Sequence, residues 1–551
     1  MADQNRVLRA AVIAVAVALL AFASSASAAT ITVTTTSDEV LSGDGLCSLR
    51  EAIQAVNAPP GDGDCGNSFT AHETIRLGPR DYTLTMRYGG GALRLVSTKR
   101  TVKIAGAGQS VTTVDATGLH DRALVIGSGA NVTLTGLTVS GGRAPNGMPG
   151  TTPAACGGPD VCVPGTDGKA GSAGGGILNS GSLTLVDAAV THNRAGDGGR
   201  GGKGGDLPEY GVIAGPGGGG GAGGAGGGIF NTGTLKLVGA TVADNQAGNG
   251  GAGGDGGTGG GSASGVPKGN GGAGGDGGSA GAGGGIANEG GTVRITASTI
   301  TNNFAGDGGD GGDAGTSFGS GSASGGDGTA GSLGGGISST RGALSLTNST
   351  IAGNWAGAGG SGGAGGDNYD GVSAGGDGGY GANGGNGGGV SVTGGAARML
   401  NVTLAGNWTG AGGRGGPGGA SNTTGAPGFN GTPGVGGGVY SEVYVTTLQN
   451  SLVASNPYGN CSGPISDGGH NLTFDGTGCP ASFLRGNPRL GLLQGNGGPT
   501  QTMALRRGSA AIDRIPAVGA GCPATDQRGV RRPQPAGGKC DIGAFEYVPH
   551  R

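Results

Sequence analysis

The sequence predicts an all-β fold, a right-handed parallel β-helix with long glycine-rich insertions that leave it from one corner. The first observation is a repeat: six blocks start with GGG, an aliphatic residue and alternating apolar positions. The aliphatic residues are Ile177, Ile229, Ile286, Ile337, Val390 and Val439. The second observation is the alternation itself, as at Leu235 and Leu237, which is typical of strands. One block has too few apolar side chains for a core, so successive blocks must stack and share one.

Further strands extend this pattern in both directions. A second short β-branched stretch follows within each block, as at 241–243 and 299–301. Residues 101–115 and 123–140 are predicted to be earlier rungs without an insertion, and residues 469–474 a degenerate last rung. These segments give roughly eight or nine rungs, with strands about 4.8 Å apart along the axis. We therefore assign residues 101–478 to the β-helix.

The N-terminus has the pattern of a secretory signal peptide over residues 1–28. Arg6 and Arg9 precede an uncharged run over residues 10–23, and small residues follow up to Ala28. The run is shorter than the roughly 20 residues that span a bilayer, and no second run of this kind follows. We expect a secreted protein, extracellular or in the cell envelope, with no transmembrane segment after signal cleavage.

Cysteine usage agrees with export. Disulfide bonds are expected for the eight cysteines Cys47, Cys65, Cys156, Cys162, Cys461, Cys479, Cys522 and Cys540. Six of them fall into three local pairs with a spacing of 18 residues, beginning at Cys47, Cys461 and Cys522. The spacing favours these pairs and a fourth between Cys156 and Cys162, while other connectivities stay open.

Composition excludes several classes of protein. With 32 basic and 35 acidic residues, the net charge is -3, which gives no electrostatic footprint for nucleic acid or an anionic membrane. Glycine accounts for 143 residues, but it keeps no continuous Gly-X-Y period and only 24 prolines are present. Collagen is therefore excluded.

Several motifs resemble known bacterial surface proteins. The GGGI, N-x-G-x-L-x-L and T-I-x-x-N elements resemble the β-helix repeats of polymorphic outer membrane proteins, which implies a pectin lyase-like solenoid. Residues 47–52, CSLREA, are the hexapeptide after which the CSLREA domain is named. The C-terminal run resembles the choice-of-anchor Q domain at residues 487–488, 496–500, 508–513, 525–529 and 540–546. The resemblance implies a cell-surface, adhesin-like protein.

Both ends of the solenoid are expected to be covered, because an open edge invites pairing with another chain. Ser48 and Glu51 form a capping box, and Leu49, Ile53 and Val56 lie on one face of the short helix that it starts. We assign residues 29–100 to an N-terminal cap that includes this helix. Residues 479–551 are expected to form a small C-terminal capping region.

The glycine-rich insertions keep a local three-residue rhythm, clearest over residues 250–258. This rhythm matches a polyproline II helix, and it suggests that adjacent insertions pack as a polyglycine II layer, although flexible coil stays open. GGxGxD also occurs at residues 250–255, 271–276, 308–313 and 362–367. Calcium is therefore possible but not favoured, because the motifs do not recur every nine residues as in a β-roll. We expect no other metal or cofactor.

Alignment of the repeats gives no acidic ladder. We align Asp187 with Gly239 and Thr296, and Asp244 with His192 and Thr301, and neither column continues with carboxylates. No catalytic residue is predicted, and an enzyme is the less favoured reading. The alternative is a carbohydrate-active enzyme, a polysaccharide lyase or glycosidase on the same fold.

Two other columns of the aligned repeats contain similar residues in successive blocks. An asparagine column is expected to stack as a structural amide ladder; it comprises Asn193, Asn245, Asn303, Asn354, Asn407 and Asn456. The residue that follows is aromatic in three consecutive blocks, at Phe304, Trp355 and Trp408. These rings are predicted to form a ligand-binding strip for a polysaccharide or a cell-envelope surface, unless they pack beneath the insertions instead.

Overall fold

The computed structural model describes residues 29–58, 63–66, 70–87, 91–98, 100–153, 162–207, 213–261, 268–442, 446–517 and 521–549. The predicted signal peptide and Cys156 lie outside the described residues. Within the described residues, no helix has both the length and the apolar character needed to cross a bilayer.

The described chain folds into three long sheets of parallel strands, and each rung of the coil visits sheet I, sheet II and sheet III in turn. Sheet I comprises Leu93–Leu95, Leu124–Ile126, Ile177–Asn179, Ile229–Asn231, Ile286–Glu289, Ile337–Thr340, Val390–Val392, Val439–Ser441 and Cys461–Ser462. Sheet II comprises Ala29–Thr32, His72–Arg76, Thr101–Ala105, Asn131–Thr135, Ser182–Val186, Thr234–Val238, Thr292–Thr296, Gly342–Thr347, Gly395–Leu400, Thr446–Gln449 and Ile465–Asp467. Sheet III comprises Asp81–Thr83, Thr113–Asp115, Thr138–Ser140, Ala189–Thr191, Thr241–Ala243, Thr299–Thr301, Thr350–Ala352, Thr403–Ala405, Leu452–Ala454, Leu472–Phe474 and Leu484–Arg485.

The rungs stack in register, which places the same type of residue at the same position of every coil. Leu235 pairs with Leu183 on one side and with Val293 on the other, and all three are fully buried. Such inward columns from the three sheets form one continuous apolar core. The parallel β-helix predicted from the repeat is confirmed.

The solenoid extends further than the glycine-led blocks indicate. Ala29–Thr32 pairs with His72–Arg76 at the start of sheet II, within the residues that the sequence analysis assigns to a cap. Leu484–Arg485 closes sheet III at the other end. These strands escape a repeat search because they lack the GGG turn and have only two to five residues.

The corners of the coil correct the alignment of the two polar columns. Asp187 stacks with Gly239 and then with Ala297 rather than Thr296, because Val238 pairs with Thr296. The corrected column runs through left-handed residues, with φ of 46° at Asp187, 60° at Gly239 and 50° at Ala297, and it continues as Asn348, Asn401 and Asn450. Asn and Gly tolerate this conformation best, so we interpret the column as a set of turn residues and not as a functional site. Likewise Asp244 follows Ala243, which pairs with Thr301, so Asp244 aligns with Asn302.

The asparagine column forms a continuous buried ladder. Five hydrogen bonds of 2.9–3.0 Å join the six asparagines, each from a side-chain amide to the Oδ1 atom of the next asparagine, through Asn193, Asn245, Asn303, Asn354, Asn407 and Asn456. From Asn245 onward each Oδ1 also accepts the backbone N–H of the preceding asparagine, as Asn354 does from Asn303 at 3.1 Å, and Asn193 Oδ1 accepts the Gly142 N–H at 2.9 Å. The ladder therefore satisfies the backbone at the turn where every insertion leaves.

The short helix Leu49–Asn57 packs its buried face against the first rungs. Ser48 accepts the Glu51 N–H at 3.1 Å, and Glu51 accepts the Ser48 N–H at 2.8 Å, so the predicted capping box is present. Arg50 pairs with Asp38 at 2.6 Å in a buried setting. Both charged residues of the hexapeptide thus have structural roles.

The disulfides tie down loops at both ends. Three bonds join cysteines 18 residues apart: Cys47–Cys65, Cys461–Cys479 and Cys522–Cys540. Cys162 is also disulfide-bonded. Its predicted partner Cys156 lies outside the described residues.

The C-terminal region folds back along the side of the solenoid. Its Gln527 accepts a hydrogen bond from Thr350 Oγ1 at 2.7 Å and donates to Thr299 Oγ1 at 2.9 Å, so it bridges two rungs of sheet III. The Pro499 carbonyl reaches Gln109 of a much earlier rung at 3.0 Å. We call this region the C-terminal strap, because it contacts many rungs. The sequence analysis predicted only a cap on the last rung.

A buried charge network holds this strap together. Arg532 pairs with Glu546 at 2.9 Å, and both side chains are fully buried. Burial raises the pKa of Glu546 to about 7, with the neighbouring Asp541 carboxyl adding to the effect. Burial likewise raises the pKa of Asp541 to about 6.

The insertions form two ordered layers beside the solenoid. Each insertion has an outgoing segment, which follows sheet III, and an antiparallel return segment, which precedes sheet I. In the outgoing segment over 249–258, Gly250 donates to Asp307 O in the next insertion and Gly251 to Gly221 O in a return segment, at 2.9 and 2.8 Å. Gly253 and Gly254 repeat both bonds three residues later, which is the period of a polyproline II helix. The layer predicted from the glycine rhythm is thus present.

Every third residue of a segment points outward, and its N–H needs another partner. Asp197 Oδ1 accepts the Asn249 N–H at 2.8 Å, Asn249 Oδ1 accepts the Asp307 N–H at 3.0 Å, and Asp307 Oδ1 accepts the Ala358 N–H at 2.7 Å. The backbone N–H groups of the outward residues are therefore satisfied by Asp and Asn side chains, whereas those of the inward glycines bond to backbone carbonyls.

We expect Gly221→Ala to lower the free energy of unfolding by about 1–3 kcal/mol, because a Cβ there would overlap the Lys169 carbonyl oxygen. Gly219→Ala in the same segment is the matched control, since its Cβ would meet nothing closer than Asp167 Oδ1 at 3.4 Å. Urea unfolding with hydrogen exchange of the insertion amides measures both effects. Equal losses in the two variants would contradict the packed layers.

The raised carboxyl pKa values predict a pH dependence of stability. The folded protein binds more protons than the unfolded chain between the ordinary pKa of Glu546, 4.5, and its folded value of about 7, so stability falls as pH rises through this range. Thermal unfolding from about pH 5 to about pH 8 should show this decline, and Glu546→Gln should reduce it. The exposed-site variant Glu442→Gln should keep the full decline; the same flattening in this control would refute the assignment.

Candidate functional site

The predicted aromatic strip belongs to a longer ladder at the corner between sheet III and the outgoing segments. Isolated parallel bridges join one residue of each rung to the next, through Arg143, Arg194, Gln246, Phe304, Trp355 and Trp408. Each of the last five directly follows an asparagine of the buried ladder, which fixes the corner backbone. The ladder thus presents a basic end, an amide and an aromatic end at one-rung intervals of about 4.8 Å.

The three aromatic rings stack in the order of the rungs. The Trp355 and Trp408 ring centroids lie 4.8 Å apart with an interplanar angle of 3°, and Phe304 and Trp355 lie 6.2 Å apart at 16°. The rings are 43%, 38% and 37% exposed for Phe304, Trp355 and Trp408. The insertions leave beside the rings, and all three ring residues stay partly exposed.

The rings line a groove of about 340 Å³. Asp307, Ala358 and Ala411, from the first outward positions of the outgoing segments, line it as well. Tyr458, which is 61% exposed, lines it beyond Trp408. Small residues beside the rings leave their surroundings open, so a flat ligand can approach.

The basic end of the ladder lines a second hollow of about 400 Å³, with His120, Arg143, Arg194 and Asp197 in its wall. Arg194 pairs with Asp197 at 2.8 Å and donates to Gln246 Oε1 at 3.2 Å. Gln246 also lines the aromatic groove, so it connects the two hollows. Arg143 is exposed and forms no ion pair with any described residue.

The groove suits binding better than acid–base catalysis. Its described carboxylate Asp307 accepts a backbone N–H, and Asp197 in the adjoining hollow is paired with Arg194. The two carboxyls with clearly raised pKa values, Asp541 and Glu546, lie instead in the C-terminal strap and are buried. General acid–base chemistry needs a positioned group with a tuned pKa at the reacting bond, and the described groove residues do not supply such a pair.

The four GGxGxD motifs lie in the insertion layers, where their carboxylates bond to the backbone. Asp276, Asp313 and Asp367 each accept an N–H from the neighbouring insertion, at 2.9, 2.8 and 2.7 Å. Asp255 pairs with Arg200 at 2.9 Å. Over the part of the chain that the structure describes, no group of three or more His, Cys, Asp or Glu side chains is arranged to hold a metal ion.

Sequence reasoning missed part of the ladder. Arg143 lies in a rung that lacks the corner asparagine, so the column could not be extended to it from the motif. Tyr458 follows Pro457, which occupies the aligned position, and it enters the groove only because the chain turns there with a φ of 60°. A second exposed ring pair, Tyr380 and Phe429, stacks on the outer face of the return layer at 5.8 Å.

The sequence matches no family model and no curated protein. Among solved structures, the pectate lyase Pel9A is 12% identical over 95% of this chain and 97% of that chain, with a TM-score of 0.32. The alginate lyase AlyGC of family PL6 is 8% identical over 87% and 56%, with a TM-score of 0.22. The nine polyproline type II helical bundle antifreeze protein of the springtail Granisotoma rainieri is 19% identical over 53% and 99%, with a TM-score of 0.09. These likenesses are too weak to carry an argument about function.

We expect Trp408→Ala to lower the free energy of unfolding by only about 1–2 kcal/mol, because it removes one ring contact from a partly exposed stack. Leu404→Ala, in the same rung but fully buried, should cost about 2–5 kcal/mol. Urea unfolding compares them. A larger loss for Trp408→Ala than for Leu404→Ala would show that the ring is part of the core.

Proposed function

We propose that this protein is a secreted or cell-surface β-helix protein that binds polysaccharide along its corner groove, in an adhesin-like or structural role. The observation that carries the proposal is the exposed stack of Phe304, Trp355 and Trp408 on a rigid ladder. Stacked rings offer large apolar faces at low entropic cost, and rings held in one line fit a chain of sugar units.

Rigid positioning supports the proposal further. The corner asparagines Asn303, Asn354 and Asn407 fix the backbone immediately before each ring through buried hydrogen bonds of 2.9–3.0 Å. The rings therefore lose little freedom on binding, and preorganisation of this kind raises affinity. The three disulfide bonds, each between cysteines 18 positions apart, agree with an oxidising, extracellular location.

The surface-protein proposal also follows from the CSLREA hexapeptide at residues 47–52 and from the C-terminal motifs. The hexapeptide provides the N-cap and first turn of the helix Leu49–Asn57 that packs on the first rungs, and the C-terminal motifs contribute Gln527 and Glu546 to the strap. Their positions show how these segments could stabilise an exposed solenoid. The alternative, a carbohydrate-active enzyme, would use the same groove.

Binding to a panel of immobilised polysaccharides tests the proposal. Replacing both tryptophans, Trp355→Ala with Trp408→Ala, should weaken binding at least about tenfold, since each ring contributes stacking energy. The matched control removes the other exposed pair, Tyr380→Ala with Phe429→Ala, and should bind as the unaltered protein does.

Unchanged binding in the tryptophan variant, or an equal loss in the control, would refute the groove as the site. Incubation of the protein with each bound polysaccharide separates binding from catalysis. Release of sugars or of unsaturated products would favour the enzyme alternative.

A further inference from the structure

Another cavity lies beside the solenoid's last rungs and shares no lining residue with the aromatic groove. Its volume is about 750 Å³, within the usual range for small-molecule sites. One wall comes from Ala405 and Phe474, which end strands of sheet III, and from the turn residue Ser455. The facing wall comes from the hairpin Leu490–Gln494 and Thr502–Leu505 of the C-terminal strap.

The hairpin brings like charges together at the mouth of this cavity. Leu490 pairs with Leu505, so Arg489 precedes one strand directly opposite Arg506, which follows the other. The Arg506 N–H donates to the Arg489 carbonyl at 3.3 Å, and Arg507 comes next in the chain. Like charges placed opposite each other across strands destabilise a hairpin, so this arrangement needs a counter-charge.

No described carboxylate forms an ion pair with these arginines. Arg489, Arg506 and Arg507 are exposed and take part in none of the ion pairs of the described chain. The Arg489 guanidinium is nonetheless held in place, because its Nη1 atom donates to the Arg507 carbonyl at 3.2 Å. Its backbone adopts the left-handed region with a φ of 44°, which a non-glycine residue rarely does outside functional or turn positions.

Apolar side chains complete the cavity. Phe474, Leu490, Leu492 and Met503 line it beneath the arginines, and Leu492 is 78% exposed. Guanidinium groups bind phosphate and carboxylate in a two-pronged geometry, and nearby apolar surface strengthens such pairs by excluding water. We propose that this cavity binds an amphiphilic anion, a phosphate or carboxylate group attached to an apolar body.

Octyl phosphate is the probe for this site, measured by calorimetry on the full chain. Arg506→Gln with Arg507→Gln should weaken its binding at least about tenfold, since charge-assisted bonds are lost. Arg485→Gln is the matched control: Arg485 is exposed, belongs to the same region and does not line the cavity, so binding should not change. Leu492→Ser should also weaken binding, while inorganic phosphate alone and the neutral octyl glucoside should bind at least about tenfold more weakly than octyl phosphate.

Vesicles of phosphatidylglycerol and of phosphatidylcholine then separate the two sources of such an anion. Arginine-dependent binding to the anionic vesicles assigns the site to a lipid headgroup, and binding of octyl phosphate alone assigns it to a free ligand; both support the site. Octyl phosphate that binds no better than octyl glucoside, or that binds the double-arginine variant and the Arg485→Gln control equally, overturns the inference. Polysaccharide binding at the tryptophan groove is independent of either result.

Discussion

The structure depends on lateral hydrogen bonding between copies of the same segment. Each strand of the three long sheets bonds to the equivalent strand one rung away. Each insertion segment bonds to the equivalent segment of the next insertion and to an antiparallel segment, so no rung is complete without its neighbours. This requirement holds for both the sheets and the insertion layers. The strands also share an apolar core, whereas the insertion layers bury few apolar side chains and are held by backbone hydrogen bonds and close glycine packing. Parallel strands explain the first, and a three-residue helical period explains the second.

The asparagine ladder connects these two systems. It lies at the corner where sheet III ends and the outgoing segments start, and it fixes the chain direction on each of the six rungs from Asn193 to Asn456. The exposed ladder of arginines, glutamine and aromatic rings follows one residue later. The proposed binding groove is therefore a by-product of how the solenoid attaches its insertions, and its geometry follows from the same register that builds the core.

The sequence predicted the repeat-derived parts well and the rest poorly, for physical reasons. Leu235 and its equivalents alternate strictly, and Gly250 to Thr258 keep their three-residue period, so both the sheets and the layers could be foreseen. Strands such as Ala29–Thr32 could not, since they owe their place to pairing and not to a local pattern. The one-residue error at Asp187 arose because a left-handed corner residue shifts the apparent alignment without leaving a motif. The strap of the C-terminal region, and with it the arginine cavity, rests on contacts between Gln527 and threonines about two hundred positions away, which no single-sequence pattern reveals.

The stacking of insertions in register with rungs has an evolutionary meaning. A unit of 49–57 residues, from one block to the next, contains one coil of core, one outgoing and one return segment, and one residue of the exposed ladder. Duplication of such a unit would lengthen the core, both layers and the groove together by one step of about 4.8 Å, without a new interface having to arise. Groove length, and with it the number of ligand units contacted, could then change by unequal recombination alone.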